Sequence, residues 1–325
     1  MFVKRISRII KCIFKSRYKF NIQELKDIQE DEDYILDILP FVARSFSLSI
    51  MVLPKQLILP AAIGYCYCRI LDTFEDMMPD EKERINALIH LPKLLSSLID
   101  KKPIESQIVE YHKLLVCSKE KDHVYCLLVE DIERIHRLFM TQQRNVQLLI
   151  IRLIDKMSKG MCNFATLFKE DEKQISEKAI RQYCKSVLGY PLIFICQLMN
   201  WYRGKTDFTH VRYKKEIIDI GVFIQLANVT RDIEEDLVNK VVYHNLLIPY
   251  KNKTEKKDLS DPILQGKIKK VRQDIIVMAL NASSSYPYFF YEYFMDSISI
   301  RLSMLIFLKF TEIFYRNACY NHFQI

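Results

Sequence analysis

Glycine and proline are scarce in this chain, six and ten among 325 residues. So few breakers, set in long stretches rich in Leu, Ile, Lys, Glu and Gln, exclude an architecture of many short turns. Alternating Val/Thr/Tyr runs bounded by hairpin turns are missing as well. The predicted fold class is therefore all-α. Half of the residues are hydrophobic, enough for one large core or two. Nothing divides the apolar content into independent blocks, so residues 21–325 read as a single catalytic domain behind a distinct N-terminal segment, 1–20.

Metal-ligand spacing is absent from the usual soft ligands. Nine cysteines are scattered, and the nearest pair, Cys66 and Cys68, is two apart on a predicted helix, where side chains do not face each other. Neither a disulfide nor a Cys-x-x-Cys site is suggested, and free thiols in a reducing compartment are expected. The seven histidines show no His-x-x-x-His or Cys/His pattern, so zinc is not indicated. No Gly-x-Gly-x-x-Gly run is present.

Acidic residues are missing from residues 1–20, which hold Lys4, Arg5, Arg8, Lys11, Lys15, Arg17 and Lys19. The formal net charge is +8, so the rest of the chain is close to neutral and a basic nucleic-acid-binding body is excluded. Phe2, Ile6, Ile9, Ile10 and Ile13 fall at helical spacing among these cations. This amphipathic basic helix reads as a membrane-surface anchor, a mitochondrial-type targeting segment or a disordered basic tail. Charges recur too often for a secretory signal, and a cytoplasmic protein peripheral on a membrane is expected. An acidic stretch from Glu24 to Asp37, closed by Pro40, follows as a candidate solvated helix. The apolar run over 286–315 is interrupted by Glu292, Asp296, Arg301, Lys309 and Glu312, which excludes a membrane span and predicts a core helix, with an apolar active-site wall or a membrane-facing lip as the lesser alternative.

Helices are predicted from Pro54/Pro60 to Met77, over 81–100, 106–117, 122–157, 176–202, 216–238, 263–282 and 288–319. Gly189 and Pro191 lie in an apolar run and predict a kink inside a helix. A polar linker is expected near 250–262.

Two aspartate pairs carry the chemistry. Asp72/Asp76 and Asp232/Asp236 are each spaced i, i+4, so both carboxylates of a pair share one helix face. Their flanks, PAAIGYCYCRIL and IGVFIQLAN, are mostly apolar, and buried carboxylates are costly without a positive partner. The first face continues back to Arg69 and Tyr65, the second to Asn228 and Gln225, with Arg231 adjacent. Hard oxygen donors in this number suit Mg²⁺ carrying substrate phosphates. The alternative is a pair of salt-bridge networks, Arg69 with Asp72/Asp76 and Arg231 with Glu235.

Four runs, ARSFSLSIMVLP (43–54), YCYCRILDTFED (65–76), YCKSVLG (183–189) and QLANVTRDIEEDL (225–237), resemble in order and spacing the signature segments of the squalene/phytoene synthase family. The resemblance spans roughly residues 40–320. The Asp-Thr-x-Glu-Asp form of the first aspartate motif, and the closing Ala318-Cys-Tyr-Asn321, resemble the squalene-synthase side.

The resemblance implies an all-helical isoprenoid-synthase bundle with a central cavity. Asp72, Asp76, Asn228, Asp232 and Asp236 would then be Mg²⁺ ligands. Arg44, Ser45, Arg69 and Arg231 would bind diphosphate, with Lys240 and Tyr243 close by, and Gln225 would extend the substrate face. Tyr183 would lie near the reacting carbons, unless it merely packs, and Phe46, Tyr65, Leu188, Phe194 and Phe223 would line an apolar wall. The implied reaction is head-to-head condensation of two farnesyl diphosphates to presqualene diphosphate, followed by NADPH-dependent reduction to squalene. Reduction is the less supported half, because the chain stops short of the lysine-rich segment that eukaryotic squalene synthases link to NADPH. Phytoene or dehydrosqualene synthesis is the alternative within the family, and a non-enzymatic mitochondrial assembly factor the alternative of another class. A class I terpene cyclase would instead carry Asn-x-x-x-Ser/Thr-x-x-x-Glu in its second motif.

Overall fold

A computed structural model of the chain describes residues 2–14, 21–43, 45–99, 110–117, 119–167, 175–251, 255–285, 287–288 and 296–323. Among these residues the secondary structure is helical throughout, as the scarcity of breakers predicts. The chain divides into two compact units, each assembled from three stretches: Met1–Cys162, Phe194–Val211 and Met295–Phe307 in the first; Asn163–Ile193, Arg212–Phe294 and Leu308–Ile325 in the second.

In the first unit, α5 (Lys55–Met77) is the core. It packs against α3 (Asp31–Val42), α6 (Glu81–Ile99), α7 (His123–Glu130) and α8 (Ile132–Met140). Leu57, Ala61, Ile63, Tyr67, Ile70, Leu71 and Phe74 are all buried on it. Among the described residues α5 alone is long and apolar enough to cross a membrane, yet 78% of its apolar window is buried within the protein, as expected of a helix apolar on most sides. Gly64 matters here, because a Cβ at that position would come 2.6 Å from the ring of Phe194. Pro92 within α6 has no N–H for the Leu88 carbonyl, and Ser158 on α9 (Arg144–Leu167) donates to that carbonyl at 2.6 Å.

The helix expected over 122–157 is broken twice. Asp131 separates α7 from α8, and after Met140 the Thr141 hydroxyl and the Gln142 amide both donate to the Leu138 carbonyl, at 2.7 and 3.0 Å. Side chains that cap the last carbonyls end a helix that hydrophobic periodicity alone would extend. A second correction concerns the cysteines: Cys117 and Cys126 form a disulfide, the one disulfide among the described residues. The pair is nine residues apart and carries no recognisable spacing.

The basic and acidic N-terminal stretches meet. Helix α1 (Phe2–Phe14) packs on α3 and on α4 (Ser45–Val52). Arg8 reaches Asp33 at 2.7 Å and Asp37 at 2.8 Å, and Lys4 reaches Asp33 at 2.8 Å. Arg5 donates to the carbonyls of Met51 and Leu53, at 3.1 and 2.7 Å, which serves the open C-terminal end of α4. Residues 15–20 lie outside the described residues.

In the second unit, α12 (Lys214–Val238) packs against α13 (Pro262–Ala282) and against the bulge between α10 (Glu177–Cys184) and α11 (Tyr190–Tyr202). That bulge, Lys185–Gly189, is a π turn. Pro191 lacks the N–H that would meet the carbonyl four residues back, and the widened turn is how the helix absorbs the defect. The irregularity expected at Gly189/Pro191 is present as this π turn. In its first third α12 touches backbone to backbone: a Cβ on Gly221 would lie 2.5 Å from the Cα of Gly189. The closing helix α14 runs over Ile298–Phe323, later than the expected start at 288. Residues 289–295 lie outside the described residues.

Candidate active site

One set of candidate site residues lies on α5 in the first unit, from Tyr65 to Asp76. Arg69 holds Asp72 at 3.2 Å and donates to the Tyr65 hydroxyl at 3.0 Å, while Tyr65 donates to the Val42 carbonyl at 3.2 Å. The guanidinium also lies over the ring of Tyr125, 5.1 Å from its centroid. Burial works against the Arg69 charge, but Tyr65, Asp72 and Tyr125 outweigh it and its pKa rises. Asp72 moves the other way from an ordinary ion-paired carboxylate. Burial raises its pKa, and Arg69 only partly offsets that. An Asp72 carboxylate is thus short of positive charge. Asp76, one turn on, is exposed. Phe46 packs beside Tyr65 and Phe307, at ring distances of 5.9 and 4.6 Å. Arg44 lies outside the described residues, and Ser45 is placed only as the first residue of α4.

A second set lies on one face of α12 in the second unit. At about 100° per residue, Gly221, Gln225, Asn228, Asp232 and Asp236 form one stripe. Asn228 donates to the Gln225 side chain at 3.0 Å. Arg231 grips its neighbour Asp232 through both carboxylate oxygens, at 2.8 and 2.5 Å, and this bond does most to raise the Arg231 pKa. The pairing of Arg231 with Glu235 weighed from sequence is not the principal one. Glu234, turned away from the stripe, pairs with Arg272 of α13. Helix α12 ends in a Schellman motif, with Val241 N–H on the Asp236 carbonyl (2.8 Å) and Lys240 N–H on the Leu237 carbonyl (3.0 Å). Lys240 occupies the left-handed position at φ +64°, where glycine is usual.

Tyr183 and Tyr243 are brought together in this unit by a residue the sequence did not flag. Phe164 stacks on Tyr183 at 4.2 Å and on Tyr243 at 5.6 Å, and the two tyrosine rings are 5.9 Å apart. All three are buried. Phe223 does not join the expected wall. It lies on the side of α12 opposite the polar stripe, stacked on Tyr315 at 4.6 Å, and Tyr315 donates to its carbonyl at 2.6 Å. Phe194 packs over Gly64 in the first unit, and Leu188 is buried in the bulge of the second. Tyr125 and Phe164 sit in runs without motif, whereas Gly221 carried a signal: an isolated glycine in an apolar helix of a glycine-poor chain marks a close approach.

Among the described residues no three His, Cys, Asp or Glu side chains gather as a metal-binding cluster. Mg²⁺ is commonly held by one or two carboxylates plus substrate phosphates and water. The all-oxygen donor set, and an Asp72 carboxylate in need of positive charge, fit such an ion.

A family model described as squalene/phytoene synthase matches residues 39–247. Squalene synthase BSS of Botryococcus braunii is 27% identical over 69% of this chain and 45% of its own length. The squalene synthase of Solanum lycopersicum is 25% identical over 60% of this chain and 42% of its own. The chain thus spans less than half the length of these curated relatives. Among solved structures, the complex of TcSQS with the ligand E5700 superposes with a TM-score of 0.68 and 22% identity, covering 88% of this chain and 78% of that one.

Proposed function

Because this chain belongs to the squalene/phytoene synthase family, we propose that it joins two farnesyl diphosphates head to head, giving presqualene diphosphate in a Mg²⁺-dependent reaction. The observation that carries this reading is that both aspartate pairs are intact and each has a guanidinium on its first carboxylate, Arg69 on Asp72 and Arg231 on Asp232. Asp72 and Asp76 would hold the metal on one helix, and Asn228, Asp232 and Asp236 on the other. When bound, Mg²⁺ neutralises the charge that grows on a departing diphosphate.

The chain's own groups account for the rest. Arg69 and Arg231 are planar, permanently charged donors suited to diphosphate oxygens, and Lys240 adds a point charge. As the allylic C–O bond breaks, the electron pair leaves with the diphosphate and an allylic cation remains. Aromatic faces stabilise such a cation and exclude water, and the Phe164/Tyr183/Tyr243 stack and the Phe46/Tyr65 pair supply them. The double bond of the second substrate then attacks, and loss of a proton closes the cyclopropane.

Asp72→Asn and Asp232→Asn should each lower turnover by more than about a hundredfold while helicity and melting stay near those of the parent. Full activity in Asp232→Asn overturns the metal assignment. Products are read by mass analysis after incubation with Mg²⁺ and farnesyl diphosphate, with and without NADPH. Presqualene diphosphate, followed by squalene only with NADPH, supports the squalene branch. Dehydrosqualene regardless of NADPH, or phytoene from geranylgeranyl diphosphate alone, moves the enzyme to a non-reducing branch. No consumption of any prenyl diphosphate removes the reading in favour of a non-enzymatic family member.

A further inference from the structure

The disulfide between Cys117 and Cys126 differs chemically from the cysteines of the core. Burial pushes the thiols of Cys66 and Cys184 up to about 12 and that of Cys68 well above its ordinary value. These three stay protonated near neutral pH and supply no thiolate for exchange. Cys117 and Cys126 are both partly exposed, within reach of a reagent in solution. A disulfide that solvent reaches is the kind that exchanges.

Its two ends belong to the two pieces of chain that lie against the last turns of α5. Cys126 follows Tyr125 on α7, and the Arg69 guanidinium sits over the Tyr125 ring, 5.1 Å from its centroid. Cys117 closes the stretch 111–117, which returns to the same helix. There the Tyr111 ring packs on Phe74 at 5.7 Å, and the Val116 N–H donates to the Met77 carbonyl at 3.0 Å, serving one of the open carbonyls at the end of α5. The contacts at Arg69, Phe74 and Met77 thus bracket Asp72 and Asp76 along the chain. Past Tyr111 apolar burial holds this stretch little, since Leu114 and Val116 are 42% and 57% exposed. The covalent bond joins it to α7 instead. All of these residues lie in the first unit.

We propose that Cys117–Cys126 is a redox modification site for a dithiol reductant, and that its reduction loosens the end of α5 and lowers turnover at the aspartate motif there. A thiolate of the dithiol attacks one sulfur of the pair, the S–S bond breaks, and the other cysteine leaves as a thiolate that takes up a proton. The second thiol of the reductant then displaces the mixed disulfide. Two electrons pass to the protein, two cysteine thiols form, and the dithiol ends as a disulfide. Without the crosslink the stretch 111–117 and the start of α7 move independently, and the Arg69–Asp72 arrangement loses a fixed neighbour on each side. Positioning errors of about 1 Å are enough to slow a reaction markedly. The effect on turnover rests on the reaction proposed above; the loosening of α5 does not.

Hydrogen exchange of the full chain, oxidised and after dithiothreitol under native conditions, tests it over residues 72–77 and 111–117, with iodoacetamide labelling to show which cysteines were reduced. Reduction should open Cys117 and Cys126 to labelling and speed exchange in both stretches by about tenfold or more, and reoxidation should reverse it. The Cys117→Ser/Cys126→Ser variant should exchange like the reduced parent and not respond to dithiothreitol; if it does not fold, the two redox states of the parent carry the test. Turnover of farnesyl diphosphate should fall by about tenfold in the reduced parent and recover on reoxidation. Cysteines 117 and 126 that label only after unfolding, exchange unchanged by reduction, or equal turnover in the two states overturns the proposal. If neither state consumes farnesyl diphosphate, the reaction proposed above fails, and the exchange result alone upholds or overturns the loosening of α5.

Discussion

Lys240 shows how a single backbone angle can expose a functional demand. A non-glycine residue held in the left-handed region costs roughly 1 kcal/mol or more, and the Schellman geometry at the end of α12 would accept glycine without that cost. Lys240→Gly should therefore stabilise the protein by about 0.5–1 kcal/mol once the extra flexibility of unfolded glycine is subtracted. Turnover should nonetheless fall, if the ammonium meets diphosphate as proposed. Urea unfolding and steady-state rates on the same variant separate the two effects, and an activity equal to the parent would relieve Lys240 of its role. At this scale the sequence was informative about placement, since spacing alone puts Asp72/Asp76 and Asn228/Asp232/Asp236 each on one helix face. It was silent on Tyr125 and Phe164, whose importance comes from what lies across from them. For Arg231 the ion-pair alternative offered by i, i+4 spacing was Glu235, whereas the adjacent Asp232 takes two of the guanidinium nitrogens.

Among the elements, the crossing of α12 with the π bulge sets where the polar stripe sits. Gly221 begins that stripe, and its contact with Gly189 leaves no room for a methyl group. Gly221→Ala should destabilise the second unit by about 2–3 kcal/mol through overpacking against main chain that cannot rotate away. The change is read as a lower urea midpoint, and an unchanged midpoint would mean the crossing is looser than the geometry indicates. Most helices were legible because apolar periodicity and the few prolines and glycines agree, as over 55–77, 81–99 and 214–238. The failure at 122–157 has a local cause. Thr141 and Gln142 satisfy the end of α8 with their own side chains, a competition that periodicity does not register.

For the molecule as a whole, buried polar pairs tie stability to pH. His136 shares a hydrogen bond of 2.7 Å with Tyr67 in the core, and burial lowers its pKa from 6.5 to about 4. The unfolded ring takes up a proton below 6.5 that the folded ring refuses until about 4, so this contribution to stability is complete above that window and is lost as pH falls through it. Unfolding free energy should drop by about 2 kcal/mol from pH 7.5 to 5 on this account alone. His136→Gln, which keeps a polar partner for Tyr67, should show a smaller drop, and an identical pH slope would assign the loss to other groups. Tertiary pairings of this kind were the least legible part of the sequence. The opposite charges of residues 1–37 were plain to see, but not that Arg8 would be buried between Asp33 and Asp37, nor that Cys117 would find Cys126.

The first unit gathers its three stretches from the beginning, the middle and the far end of the chain, and this orders its biosynthesis. Helices α1, α3 and α4 leave the ribosome within the first 52 residues and can pair their charges at once. Helix α14, which covers α4 through Ser303 and Phe307, is not translated until some 250 residues later. Throughout that interval the apolar side of α4 has no native cover, and the nascent chain must carry it exposed or shielded by a chaperone.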